Sequence, residues 1–140
     1  MSDVQFTSSM SITKGNVKFR SYPNSFQADI VGSGTGPSPG AVTCAVAGTD
    51  IDLTEITTPG FCFLYNMDSL HFVTVGIWDG TEFYPLLEIG PGEGYPLKLS
   101  RFLGQSLGTV GTGTFDTGSY SLRIKADTAA CDVFVGAFDR

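Results

Sequence analysis

The chain of 140 residues carries 8 Lys and Arg against 14 Asp and Glu, a net charge of -6, and only 16% of its residues are charged. It is 41% hydrophobic, with 18 Gly, 11 Phe and 5 Tyr. That length sets one domain; the composition excludes a disordered chain and a helical bundle, and no apolar run approaches the roughly 20 residues of a membrane-spanning helix.

Residues 1–14 are expected to form an N-terminal arm, in which Val4 and Phe6 alternate with polar neighbours before Ser and Thr dominate. Val17 and Phe19, then Phe26, Ala28 and Ile30, show the period of two that marks a strand with one buried face. Tyr22-Pro23-Asn24-Ser25 between them carries turn chemistry, because proline fixes φ and asparagine tolerates unusual φ. The stretch from Gly32 to Gly40 reads as a loop. It resembles a phosphate-cradling loop only in its glycines, since Pro37 and Pro39 stand where a Lys-Ser/Thr and a helix start are needed. Val42, Cys44 and Val46 give another alternating strand, followed by Thr49 to Leu53.

The centre of the chain is its most apolar part. Thr57-Thr58-Pro59-Gly60 is a turn, and Phe61 to Tyr65 is a strand apolar on both faces. After a turn at Asn66–Ser69, His71 to Trp78 reads as a strand closed by the hairpin dipeptide Asp79-Gly80. Phe83 to Ile89 returns, and Gly90 to Gly94 turns into Tyr95 to Leu99. Pro85 and Pro96 cannot donate to a ladder, which places their strands at sheet edges or bulges. Residues 104–118 form a second Gly/Thr-rich loop. Tyr120, Leu122 and Ile124 alternate, and Cys131 to Phe138 closes the chain. Nine or ten short strands with Gly/Pro turns and no helical periodicity predict an all-β, single-domain antiparallel β-sandwich, jelly-roll-like.

The basic residues form two loose groups, Lys14/Lys18/Arg20 and Lys98/Arg101, and no stripe, so direct nucleic-acid binding is not expected. Cys44, Cys62 and Cys131 lack metal-ligand or redox spacing and read as small buried hydrophobes. Met1 to Gln5 has no basic or apolar leader region, so synthesis in a cytoplasm is expected. His71 is the only histidine; without Gly-x-Ser-x-Gly, HxH or HExxH it reads as a surface or interface side chain. The paired carboxylates Asp50/Asp52 and Asp79/Glu82 read as solvated turn residues. No enzyme activity, cofactor, catalytic residue or metal site is expected. The expected contact residues are Val4, Phe6, His71, Trp78, Tyr84 and Tyr95.

One run has a family likeness. The acidic-apolar segment Ile51 to Ile56 leads through Thr57-Thr58-Pro59-Gly60 to the strand Phe61 to Tyr65 and to Asn66-Met67-Asp68. Val73-Thr74-Val75-Gly76, Ile89-Gly90-Pro91-Gly92-Glu93 and Lys125 to Ala130 follow in order. This pattern resembles small structural proteins of tailed bacteriophages, most like capsid decoration (cement) proteins. It covers about residues 50–138; the first 45 residues have no counterpart in it. The resemblance implies a virion protein on the capsid exterior, a homotrimer that binds the major capsid protein and reinforces the lattice, without contact to nucleic acid or membrane. The alternative is a neck, tail or fibre-associated β-domain that binds a glycan through Trp78, Tyr84 or Tyr95.

Overall fold

The structure, a computed structural model, describes residues 3–22, 24–30, 36–56, 58–100 and 120–139. Among these residues there is no helix. Twelve strands follow in chain order: β1 Val4–Ser8, β2 Ser11–Lys14, β3 Val17–Arg20, β4 Asn24–Ala28, β5 Ser38–Cys44, β6 Thr49–Asp50, β7 Pro59–Asn66, β8 Val73–Trp78, β9 Phe83–Ile89, β10 Gly94–Lys98, β11 Ser121–Ala126 and β12 Cys131–Asp139.

The last eight strands build two four-stranded antiparallel sheets, ordered β10-β7-β12-β5 and β6-β11-β8-β9. Within this set the first strand pairs with the last, the second with the seventh, the third with the sixth and the fourth with the fifth. The two sheets pack face to face as a β-sandwich. Their inner faces carry alternate apolar positions: Cys62 and Leu64 on β7, Val133 and Val135 on β12, Val73 and Val75 on β8, and Leu122 and Ile124 on β11, the last pair marked by period two in the sequence. Each fully buried Val, Leu or Ile contributes about 1.5–3 kcal/mol by leaving water.

The edges are managed as the prolines require. Pro96 lies on β10 and Pro85 on β9, both edge strands, and Pro85 stands where the β8–β9 register shifts. Gly76, opposite Pro85, is buried beneath the ring of Phe83. Among the described residues two polar side chains are buried, Asp139 and Asn66, and Asn66, at the end of β7, is fully enclosed. Its amide donates to the carbonyls of His71 at 2.8 Å and of Ile89 and Gly90 at 3.2 Å, and its Oδ1 accepts from the Asp68 N–H at 3.0 Å. It therefore ties β7, in one sheet, to the approach to β8 and the end of β9, in the other.

The first four strands differ from the expected layout. β1 pairs with β4 and β2 with β3, so residues 4–22 and 24–28 run out and back as one two-stranded ribbon. The reversal lies at Gly15-Asn16, not at Tyr22–Ser25. Gly15 has φ +56°, the left-handed conformation that a two-residue hairpin loop with glycine at its first central position demands. Ser21 and Tyr22 lie on the return limb: the Ser21 N–H donates to the Met10 carbonyl at 2.8 Å and the Ser21 hydroxyl accepts from the Met10 N–H at 2.7 Å. Three smaller corrections follow. Ser38-Pro39-Gly40 belongs to edge strand β5 rather than to a loop, while 32–35 lie outside the described residues. His71 and Phe72 precede β8 instead of opening it, held by the Asp68 turn and the Asn66 amide. Val46 follows the end of β5 in a turn, because Gly48 at φ +102° closes a bend from Ala45. The loop expected at 104–118 lies outside the described residues.

Candidate interaction surface

The root of the ribbon packs against the outer face of the β10-β7-β12-β5 sheet. Phe6 and Phe26, directly opposed across β1 and β4, stack with centroids 5.1 Å apart. Phe26 reaches Phe61 of β7 at 6.4 Å, and the Lys98 ammonium lies 5.3 Å and 5.6 Å from these two ring centroids. Cation–π contacts of this kind are worth about 0.5–1 kcal/mol at exposed sites. Between β1 and the sheet remains a cavity of about 340 Å³ walled by Val4, Phe6, Ile30, Phe61, Phe63 and Phe138.

Beyond this root the outer face stays aromatic. Phe63 and Tyr65 follow Phe61 on the outward side of β7 and are exposed. The Phe63 ring lies over Gly94, and the Phe134 ring lies over Gly136 two residues along β12. Glycine at these positions lets the rings lie flat on the sheet, since a Cβ would meet them at 2.8 Å and 2.9 Å.

The tip of the ribbon is more exposed still. Every residue of β2 and β3 is exposed. Ile12 faces Phe19 and Lys14 faces Val17 across the ladder, so Ile12, Lys14, Val17 and Phe19 share one side. The exposures of Ile12, Val17 and Phe19 are 44%, 63% and 50%. Ser11, Thr13, Lys18 and Arg20 occupy the other side. Residues 9–22 hold three of the eight bases, Lys14, Lys18 and Arg20, and none of the fourteen acids. An isolated two-stranded hairpin is marginal at best in water. The ribbon tip is thus an exposed, apolar and cationic surface on an acidic chain.

The expected contact residues are dispersed over this frame. Val4 and Phe6 line the cavity at the ribbon root. Trp78 lies on the outer face of the other sheet, half-buried, with the Arg123 guanidinium 3.8 Å from its ring centroid; Arg123 in turn donates to Asp50 at 2.5 Å. That bond holds the Asp50 carboxyl below the usual carboxylate range. Tyr84 and Tyr95 are exposed, on the edge strands β9 and β10. The Tyr84 hydroxyl donates to Asp79 and Glu82, each at 3.2 Å, and that of Tyr95 to Glu93 at 3.0 Å, so both phenols are pushed above their ordinary pKa. His71 is half-buried, its Nδ1 3.2 Å from Asp68 Oδ1.

The paired carboxylates do not act as pairs. Asp50 is engaged by Arg123 and Asp52 by the Thr54 backbone and hydroxyl. Asp79 accepts from the N–H groups of Glu82 and Thr81, which hold its carboxyl low and fix the turn. All three cysteines are free and buried. Burial pushes the thiols of Cys44 and Cys62 up to about 11 and about 12, so both stay protonated and unreactive near neutrality.

The ribbon tip is the part that the sequence reading missed. Its signal is Lys14-Gly15-Asn16-Val17, a Gly-Asn dipeptide between two short alternating runs. The outer aromatic row was legible as a strand apolar on both faces but not as a surface. Comparison with protein-family models, curated proteins and solved structures returns no match.

Proposed function

We propose that this chain is a structural assembly protein that works by binding, and specifically a decoration protein on the outer surface of a tailed-phage head. The observation that carries the reading is the ribbon tip, whose side of Ile12, Val17 and Phe19 is exposed together with Lys14, while Lys18 and Arg20 lie on its other side. Covering such a strip favours association by about 25 cal/mol for each Å² of apolar area removed from water. The outward row Phe63 and Tyr65 supplies a second apolar area. Symmetric copies that each lend a ribbon to a neighbour and rest on a shell would cover both surfaces and raise the cost of opening any seam. The partners in this reading are two further copies, as a homotrimer, and the major capsid protein.

The strand orders fit a jelly roll, in which four antiparallel pairs, first-with-last through fourth-with-fifth, wrap into two sheets. Viral capsid and lectin domains use that arrangement, and this support is by analogy of fold. Lectin-like binding on a neck, tail or fibre is the second reading. It is favoured by Tyr84 and Tyr95, each an exposed ring beside carboxylates.

Two measurements test the proposal. Native mass spectrometry of the purified chain is expected to give a trimer. Quantification in purified particles is expected to give copies on the scale of the capsid lattice. A monodisperse monomer that never binds heads overturns the proposal. A few copies per particle together with glycan binding replaces it with the second reading.

A further inference from the structure

Three chemically different donors converge at one end of the sandwich. Asp68 and His71 come from the segment between β7 and β8, and Cys131 opens β12. One donor atom from each lies within 4.8 Å of the other two. A tetrahedral ion with bonds of about 2.0–2.3 Å holds its donors about 3.3–3.8 Å apart, so shifts of no more than about 1.5 Å close this group around a cation.

The backbone around the group is fixed. Asn66 bonds the carbonyl of His71 and the N–H of Asp68. The Met67 N–H donates to the Asp132 carbonyl at 2.9 Å, and the Asp127 N–H to the Phe72 carbonyl at 3.2 Å, pinning the segment to both flanking strands. Asp68 Oδ1 accepts from the N–H groups of Leu70 and His71, each at 2.7 Å, which orients the carboxylate toward the imidazole. Donors held by such outer contacts lose little freedom on binding an ion. Burial, and then the charges of Asp68, Asp127 and Asp132, hold the Cys131 thiol above its ordinary pKa, so its proton leaves only in exchange for a cation.

We propose that Asp68, His71 and Cys131 form a binding site for a divalent transition-metal ion of the zinc class. The thiolate excludes a preference for magnesium or calcium, which take oxygen donors, and the mixed O, N, S set suits zinc or cobalt. On binding, the Cys131 thiol releases its proton to solvent and gives up its contact with the Ala129 carbonyl at 3.3 Å. The imidazole coordinates through a neutral nitrogen and keeps its proton on the other. A fourth position stays open to water or to a donor from a neighbouring chain. The site is independent of the assembly reading.

Cobalt(II) titration of the full-length protein tests the proposal, because a thiolate–cobalt bond gives a charge-transfer band in the near ultraviolet. The expected result is an equimolar titration of this band in the folded protein, competed by zinc. Cys131→Ser should abolish the band. His71→Ala and Asp68→Asn, both at half-buried positions, should weaken binding at least tenfold, and Cys62→Ser should leave it unchanged. Zinc should raise the thermal midpoint of the parent protein and not of His71→Ala. Absence of the band, or an equal affinity in His71→Ala and Asp68→Asn, overturns the proposal. A Cys131→Ser variant that fails to fold leaves those two substitutions to decide.

Discussion

The Asn66 side-chain amide donates to the backbone carbonyl of His71 at 2.8 Å from a position sealed from solvent. Two further carbonyls and one N–H complete its hydrogen bonding, so a single residue satisfies four backbone groups around the ends of β7 and β9 and the approach to β8. Removing it strands the buried Ile89 carbonyl and leaves the other three groups half-buried, each at about 1–3 kcal/mol if water cannot enter. Asn66→Ala is expected to lose about 3–5 kcal/mol in urea unfolding, and Asn66→Asp at least as much at neutral pH, because a carboxylate would face three carbonyl oxygens. A loss below about 1 kcal/mol would mean that water replaces the amide.

The ribbon tip predicts the opposite pattern. Ile12 and Phe19 are exposed and opposed across β2 and β3, so they add little to the stability of the isolated chain. The double substitution Ile12→Ser with Phe19→Ser is expected to change unfolding stability by no more than about 0.5 kcal/mol, as surface changes do. It should nevertheless lower trimer formation or particle occupancy at least tenfold. Lys14→Glu with Lys18→Glu should weaken the same association in a salt-dependent way. Unchanged occupancy in both variants would remove the ribbon from the contact.

How far the fold was legible follows from particular residues. Period two at Leu122/Ile124 identified a core strand, because one face of it is sealed by the opposite sheet. Pro85 and Pro96 marked the edges, because a residue without an N–H cannot sit inside a ladder. In the ribbon the strands at Val17/Phe19 and Phe26/Ala28 were legible, but the buried face that period two implied for Val17 and Phe19 is absent, because β2 and β3 seal no face. At Tyr22 to Ser25 the local turn chemistry pointed to a reversal that the register of β1 on β4 overrides. The convergence of Asp68, His71 and Cys131 had no trace in spacing, since sixty residues of chain separate its two parts and only tertiary packing joins them.

Gly76 offers a test of the β8–β9 register. A methyl group there would collide with the Tyr84 carbonyl and stand 2.8 Å from the Phe83 ring. Backbone cannot yield as a flexible side chain does, so Gly76→Ala is expected to cost about 3 kcal/mol, at the upper end of ordinary overpacking. Gly80, two residues past the end of β8, has open space around it but a φ of +98°. Gly80→Ala should therefore cost only about 1 kcal/mol, from backbone strain alone. Equal losses in urea unfolding would show that space around Gly76 is not the constraint.

Acid titration should read the Asp50–Arg123–Trp78 stack directly, because Trp78 is the one tryptophan of the chain. The hydrogen bond from Arg123 depresses the Asp50 pKa in the folded protein. The unfolded value is about 3.9. The stabilisation from this pair is therefore complete above that pH and fades as pH falls through the lower folded value. Half of the Asp50 side chain meets solvent, so screening keeps its effect on global stability small. The local effect is the sharper one: with Asp50 neutral, Arg123 loses the anchor that holds it 3.8 Å from the indole centroid. Trp78 emission is expected to step with a midpoint below pH about 3.9, and Asp50→Asn should remove that step. A step that persists in Asp50→Asn would assign it to another carboxyl or to unfolding.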